Sequence, residues 1–115
     1  MVPNLKPSEP LSQVVFIHDY LQLVFQDERF SIYNLAEVEL RGVKVTQGQP
    51  GFCDVVVSLI GQRVTAASHS DVYALRLSFE EGAQFVVRSD EAAITGPEAF
   101  KFNGKNQLLI VEQNA

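Results

Sequence analysis

Leu75-Arg76-Leu77-Ser78-Phe79-Glu80-Glu81-Gly82-Ala83-Gln84-Phe85-Val86-Val87 is the stretch on which the fold turns. Leu75, Leu77 and Phe79 fall on every second residue, so in an extended chain they point to one side while Arg76 and Ser78 point to the other. Glu80-Glu81-Gly82-Ala83 breaks the alternation with a polar, glycine-bearing turn, and Phe85 and Val87 resume it. The pattern predicts a β-hairpin with one buried face, in which Leu77 faces Val87.

The same pattern stands 54 residues upstream, at Leu21, Leu23 and Phe25. The polar stretch Gln26-Asp27-Glu28-Arg29 follows as a turn, then Phe30 and Ile32, so Leu23 is expected opposite Ile32. Each hairpin is preceded by a valine-bearing strand (Val14–Ile17 and Val64–Ala67) and by a histidine near an aspartate: His18-Asp19 in one, His69-Ser70-Asp71 in the other. A pseudo-symmetric pair of hairpins around one site and a chance likeness of two amphipathic hairpins are both open. The two halves are expected to pack together, because an isolated hairpin is marginal in water.

Further strands are expected through Val38 and Leu40, continuing past a bend at Gly42 into Val43 and Val45. Ala99–Phe102, Asn103-Gly104 and Leu108–Val111 read as a hairpin closed by a type I′ turn, since Asn and Gly both tolerate positive φ. Between Gln47-Gly48-Gln49-Pro50-Gly51, a loop, and Gly61 lies an apolar run with two readings. Its β-branched residues suit a strand; Asp54 as N-cap, Gly61 as stop and Val55, Val56, Leu59 and Ile60 on one face suit a short helix, which is the reading preferred. Residues 1–10 carry Pro3, Pro7 and Pro10, which exclude helix interior and sheet ladder alike and predict an extended lead-in. The expected architecture is mainly β (α+β): an antiparallel curled sheet or small sandwich over residues 11–115, with one short helix near the middle.

The chain's 115 residues suit one domain of roughly 100–200 residues. A hydrophobic share of 46% is that of a folded protein. One cysteine, Cys53, excludes a disulfide framework and a multi-thiolate metal site. No apolar run approaches the ~20 residues of a membrane helix, and Met1-Val2-Pro3-Asn4 does not open a signal peptide, so a cytoplasmic location is expected. Fourteen acidic against nine basic residues give a formal charge of −5, and the dispersed Lys and Arg argue against nucleic acid as a direct ligand.

The run Leu59-Ile60-Gly61-Gln62-Arg63-Val64, with Asp71, Leu75 to Gly82, and Gly96-Pro97-Glu98-Ala99-Phe100, resembles a group of small uncharacterised bacterial domains. These pair an L-I-G-x-x-V turn with an L-x-L-x-F-x-[D/E]-G hairpin and a G-x-E-x-x segment near the C-terminus. Asp19-Tyr20-Leu21-Gln22-Leu23-Val24-Phe25 resembles their N-terminal strand. The likeness covers most of the chain beyond residue 13 and implies a fold, because the matched residues are core and turn positions. By analogy, small acidic domains of this sort are similar to immunity proteins, which bind and block one cognate bacterial toxin.

Several constellations carry the letters of chemistry. Ser68-His69-Ser70-Asp71 holds a triad's residue types, but neighbours on a turn diverge, whereas triad members converge from separate elements; a polar β-turn explains the string. Cys53 with His18 or His69 as base would be a nucleophile; beside Phe52 and a valine run it reads as a small core residue. The two histidines and their aspartates supply metal-ligand types without a pre-forming spacing. Tyr20, Tyr33 and Tyr73 are candidates for ligand or partner contact, or for packing on strands.

The leading expectation is therefore a non-enzymatic protein-binding domain without cofactor or metal. Its acidic residues Asp27, Glu28, Glu80, Glu81, Asp90 and Glu91 would steer a basic protein partner, such as a toxin domain. The alternatives are a structural or assembly module joined through a strand edge, with oligomeric state open, and a small His/Asp metal-binding domain or enzyme.

Overall fold

The computed structural model describes residues 5–114; Pro3 and the other residues up to Asn4, with Ala115, lie outside the described residues. Alternation becomes strand wherever it was expected. The strands are β1 (Gln13–Ile17), β2 (Tyr20–Phe25), β3 (Glu28–Ile32), β4 (Ala36–Leu40), β5 (Val43–Thr46), β6 (Val64–Ser68), β7 (Tyr73–Phe79), β8 (Gln84–Arg88), β9 (Glu98–Asn103) and β10 (Leu109–Gln113), with helix α1 (Phe52–Val57) between β5 and β6. They form two antiparallel five-stranded sheets, ordered β1-β2-β3-β9-β10 and β5-β4-β8-β7-β6. The inner rows Leu21, Leu23 and Phe25 of the first sheet and Leu75, Leu77 and Phe79 of the second are all buried in one core. The mainly β, sandwich-like architecture with one short helix is the one the sequence predicts.

The hairpin registers differ from expectation. Leu23 faces Phe30 and Leu77 faces Phe85, while Ile32 and Val87 pair with Leu21 and Leu75. The cause is tighter turns. Gln26 adopts a left-handed conformation (φ 59°), so Gln26-Asp27 alone closes β2 to β3 and sets Phe25 opposite Glu28. In the second hairpin the Phe79 N–H donates to the Ala83 carbonyl across Glu80-Glu81-Gly82, with Gly82 left-handed. Leu40 and Val43 pair across Arg41-Gly42, both with positive φ, so the chain reverses there instead of bending onward. The Asn103-Gly104 turn is not type I′. Asn103 stays in β9 opposite Leu109, Gly104 is extended (φ −95°), and Asn106 and Gln107 take the positive φ values within a longer loop.

Helix α1 is capped by Gly51 (φ 92°), not by Asp54, which sits in the first turn. Phe52, Val56 and Leu59, at i, i+4 and i+7, turn inward. Ile60 and Cys53 are exposed, against the expectation that Cys53 is a core residue: it follows Phe52 on the helix and so points away from the sheets.

Substituting β6, β7, β8, β4 and β5 for β1, β2, β3, β9 and β10 converts the first sheet order into the second. Hairpin β4–β5 leaves the first half of the chain to extend β8, and β9–β10 leaves the second half to extend β3. The crossings repeat in detail. The Tyr33 N–H donates to Ala99 O and the Arg88 N–H to Leu35 O, each at 3.0 Å. The 54-residue repeat is thus a repeat of place in the fold, and the two halves exchange hairpins.

Candidate functional site

The exchange gives the sandwich two unlike ends. At one, the turns after β2 and β7 are bridged by the lead-in. The Ser8 N–H and hydroxyl both donate to Glu28 Oε1 (3.0 and 2.9 Å). Arg63 donates from Nη1 to Ser8 O (2.7 Å) and from its N–H to Glu80 Oε1 (3.2 Å). Leu5 and Leu11 bury their side chains beside this bridge. At the opposite end lie the β1–β2 tip with His18 and Asp19, the link 69–72, and the crossings from β3 to β4 and from β8 to β9.

The proposed partner-binding acids divide between these ends. Asp27, Glu80 and Glu81 are exposed at the bridged end, but Lys6, Arg29, Arg41, Arg63 and Lys105 stand at the same end. Glu28 is not on the surface at all. It is 6% exposed, because in the two-residue turn its parity matches the inward Phe25, and Ser8 satisfies it. Asp90 and Glu91 lie at the crossing end.

There they join Glu98 and Glu112, which sequence reasoning passed over, and Asp19 and Asp71, which it weighed with the histidines as metal ligands and not as docking acids. Arg88, at the end of β8, stands with them. Six of the 14 carboxylates thus gather on the loops and strand ends here, and even with Arg76, whose guanidinium lies over the Tyr73 ring, carboxylates outnumber cations at this end. A signal was present: Asp19 and Asp71 each stand just ahead of β2 and β7, two residues before Leu21 and four before Leu75, so any fold that stacks the hairpins in parallel brings both aspartates to one end.

Buried hydrogen bonds hold this end together. Asn34, 1% exposed, donates from Nδ2 to Arg88 O (2.9 Å) and to Asn114 Oδ1 (2.8 Å). Asn114 Nδ2 donates back to Asn34 Oδ1 (3.0 Å) and to Gly96 O (2.8 Å), and its N–H donates to Pro97 O (2.8 Å). Both crossings and the strand end after β10 are thereby joined, so the acidic loops sit on a fixed base.

Three hollows open at or beside this end. One, of about 290 Å³, has Asp71 and Glu112 on its wall. A second, of about 330 Å³, lies at Asp19, Tyr20, Tyr33 and Glu98. The third, about 360 Å³, runs along the outer face of β4, β7 and β8. In it Arg76 stacks on Tyr73 at 4.5 Å, Lys44 lies 3.6 Å from Glu37, and Arg88 grips Asp90 through Nε and Nη2 (2.8 and 2.6 Å). That hydrogen bond lowers the Asp90 carboxyl below its ordinary value and raises the Arg88 guanidinium above its own.

His18 and His69 are both exposed at the acidic end, and among the described residues no three His, Cys, Asp or Glu side chains form a metal-binding group. Ser68-His69-Ser70-Asp71 folds as a polar turn: Ser70 Oγ accepts the Val72 N–H (3.1 Å), and the Ser68 hydroxyl meets Tyr73 Oη (3.1 Å). No described helix is long and apolar enough to cross a membrane. A scan against protein-family models finds no match, and searches of curated proteins and of solved structures find none either.

Proposed function

We propose that the chain is a non-enzymatic protein-binding domain that receives a basic partner at its acidic end. The observation carrying this reading is the segregation of charge. An excess of carboxylates gathered on one preorganised end creates a directed field that accelerates encounter with a cationic surface, which the same charges spread evenly would not do. The partner class in keeping with it is a basic toxin domain held by an immunity protein. Asp90 and Glu91 keep their part in docking, joined by Asp19, Asp71, Glu98 and Glu112; Asp27, Glu80 and Glu81 act as solvated turn residues.

The test uses a short oligolysine peptide at low and high salt. It is titrated into the wild type, into an acidic-end variant (Asp71→Asn, Glu91→Gln, Glu112→Gln) and into a bridged-end variant (Asp27→Asn, Glu80→Gln, Glu81→Gln). Binding that salt weakens, that the first variant loses and that the second keeps supports the reading. Equal loss in both variants overturns it.

A second reading, an assembly module, rests on the edge strand β10, where Leu109 and the preceding Leu108 stand exposed. Light scattering decides it: a monomer at all working concentrations removes this reading.

A further inference from the structure

The hollow between the β1–β2 tip and the loop before β9 has chemistry that an acidic end alone does not supply. Its wall contains two aromatic rings. Tyr20 and Tyr33 meet with ring centroids 5.4 Å apart at 45°, and both are half-buried. Pro97 adds an apolar side, and the carboxylates of Asp19 and Glu98 stand at the same opening. Among the described residues neither carboxylate has a hydrogen bond or ion pair, in contrast to Asp90, which Arg88 satisfies.

We infer that this hollow is a binding site for an arginine side chain presented by a protein partner. The inference rests on the proposed docking at the acidic end and names the group that anchors it. Tyrosine faces attract cations through the ring quadrupole and stack with a planar guanidinium, and free carboxylates accept its N–H donors in pairs. The volume of about 330 Å³ lies at the small end of ligand sites and leaves room for one long side chain.

The wall is set before any ligand arrives. Tyr33 O accepts the Thr95 hydroxyl (2.8 Å) and the Tyr33 N–H is held by Ala99 O (3.0 Å). Asn114 fixes Gly96 O and Pro97 O, each at 2.8 Å. Little ordering is left to be done on binding, and such preorganisation favours affinity. The equivalent place on the other sheet cannot serve the same ligand: Arg88 stands in the position of Tyr33 along the strand pair and is already paired with Asp90.

The experiment follows amide and aromatic NMR shifts of the full chain while an acetylated Gly-Arg-Gly amide is added at low salt. Its citrulline twin serves as the neutral isostere. The expected result is saturable shifts at Tyr20, Tyr33, Gly96 and Glu98 with the arginine peptide and none with citrulline. Tyr33→Leu and Glu98→Gln, each checked for retained fold, should each weaken binding about fivefold or more. A lysine peptide should bind more weakly, because an ammonium does not stack.

Equal binding of citrulline, or variants that bind like wild type, overturns the inference. Shifts confined to Asp71, Glu91 and Glu112 overturn it too, while leaving docking at the acidic end intact. Shifts nowhere at this end count against both.

Discussion

Replacing Asn34 by alanine removes the joint that holds the acidic end. Asn34 makes two donated hydrogen bonds, to Arg88 O and Asn114 Oδ1, and accepts one from Asn114 Nδ2. At about 1 kcal/mol net for each bond, with part of the loss recovered as half-buried Asn114 rehydrates, the cost is about 2–3 kcal/mol. That is a large share of the about 5–15 kcal/mol that stabilises an ordinary domain. In urea, where the free energy of a small protein falls by about 1–3 kcal/mol per molar, the unfolding midpoint should drop by about 1–2 M. The transition is followed by far-UV circular dichroism and by tyrosine emission, which no tryptophan obscures. Asn114→Ala breaks two of the same three bonds. The double variant should therefore lose less than the sum of the singles, by about 1–2 kcal/mol, since two bonds are counted in both. An Asn34→Ala unfolding free energy within about 0.5 kcal/mol of wild type, or strict additivity with Asn114→Ala, would refute the role given to this network.

Phe30 is fully buried, with Phe102, Phe100 and Phe25 at centroid distances of 4.5, 6.1 and 6.2 Å, so Phe30→Ala should cost about 3–5 kcal/mol in the same urea assay. Gly42→Ala should cost about 1–2 kcal/mol through backbone conformation alone, since its φ is +78° and no atom crowds the added Cβ. Asp90 should titrate below the ordinary aspartate range by carbon-detected NMR and return toward it in Arg88→Gln. Because its folded-state value is lowered, the pair's contribution is present above the unfolded aspartate value and fades as pH falls through the folded one. Stability should therefore respond to Arg88→Gln at neutral pH and not in strong acid.

Much of the fold was legible because a half-buried sheet writes itself as a period of two. Leu21, Leu23 and Phe25, and Leu75, Leu77 and Phe79, needed no tertiary information. Register was less legible, since it depends on whether a polar stretch such as Gln26 to Arg29 is all turn or turn and strand. Two residues of difference moved Leu23 from Ile32 to Phe30 and drew Glu28 into the interior. The hairpin exchange was not legible at all. Nothing in the segment from Tyr33 to Leu35 spells out whether β4 returns to its own half or passes to the other, where Ala36 and Val38 pair with Val87 and Phe85 of β8. The charged end followed from that choice. Acidic pairs catch the eye in a sequence, but Asp27-Glu28 and Glu80-Glu81 fold among arginines, while single acids far apart in the chain converge.

The central claim, that carboxylates outnumber cations at one end, is open to a direct reading of the near-surface potential. Paramagnetic relaxation of each amide by a cationic and by an anionic cosolute, taken as a ratio, reports it residue by residue. The account predicts strong enrichment of the cationic probe around Asp19, Asp71, Glu91, Glu98 and Glu112, with near parity around Asp27, Glu80 and Glu81. Similar ratios at the two ends, or enrichment at the bridged end instead, would contradict it.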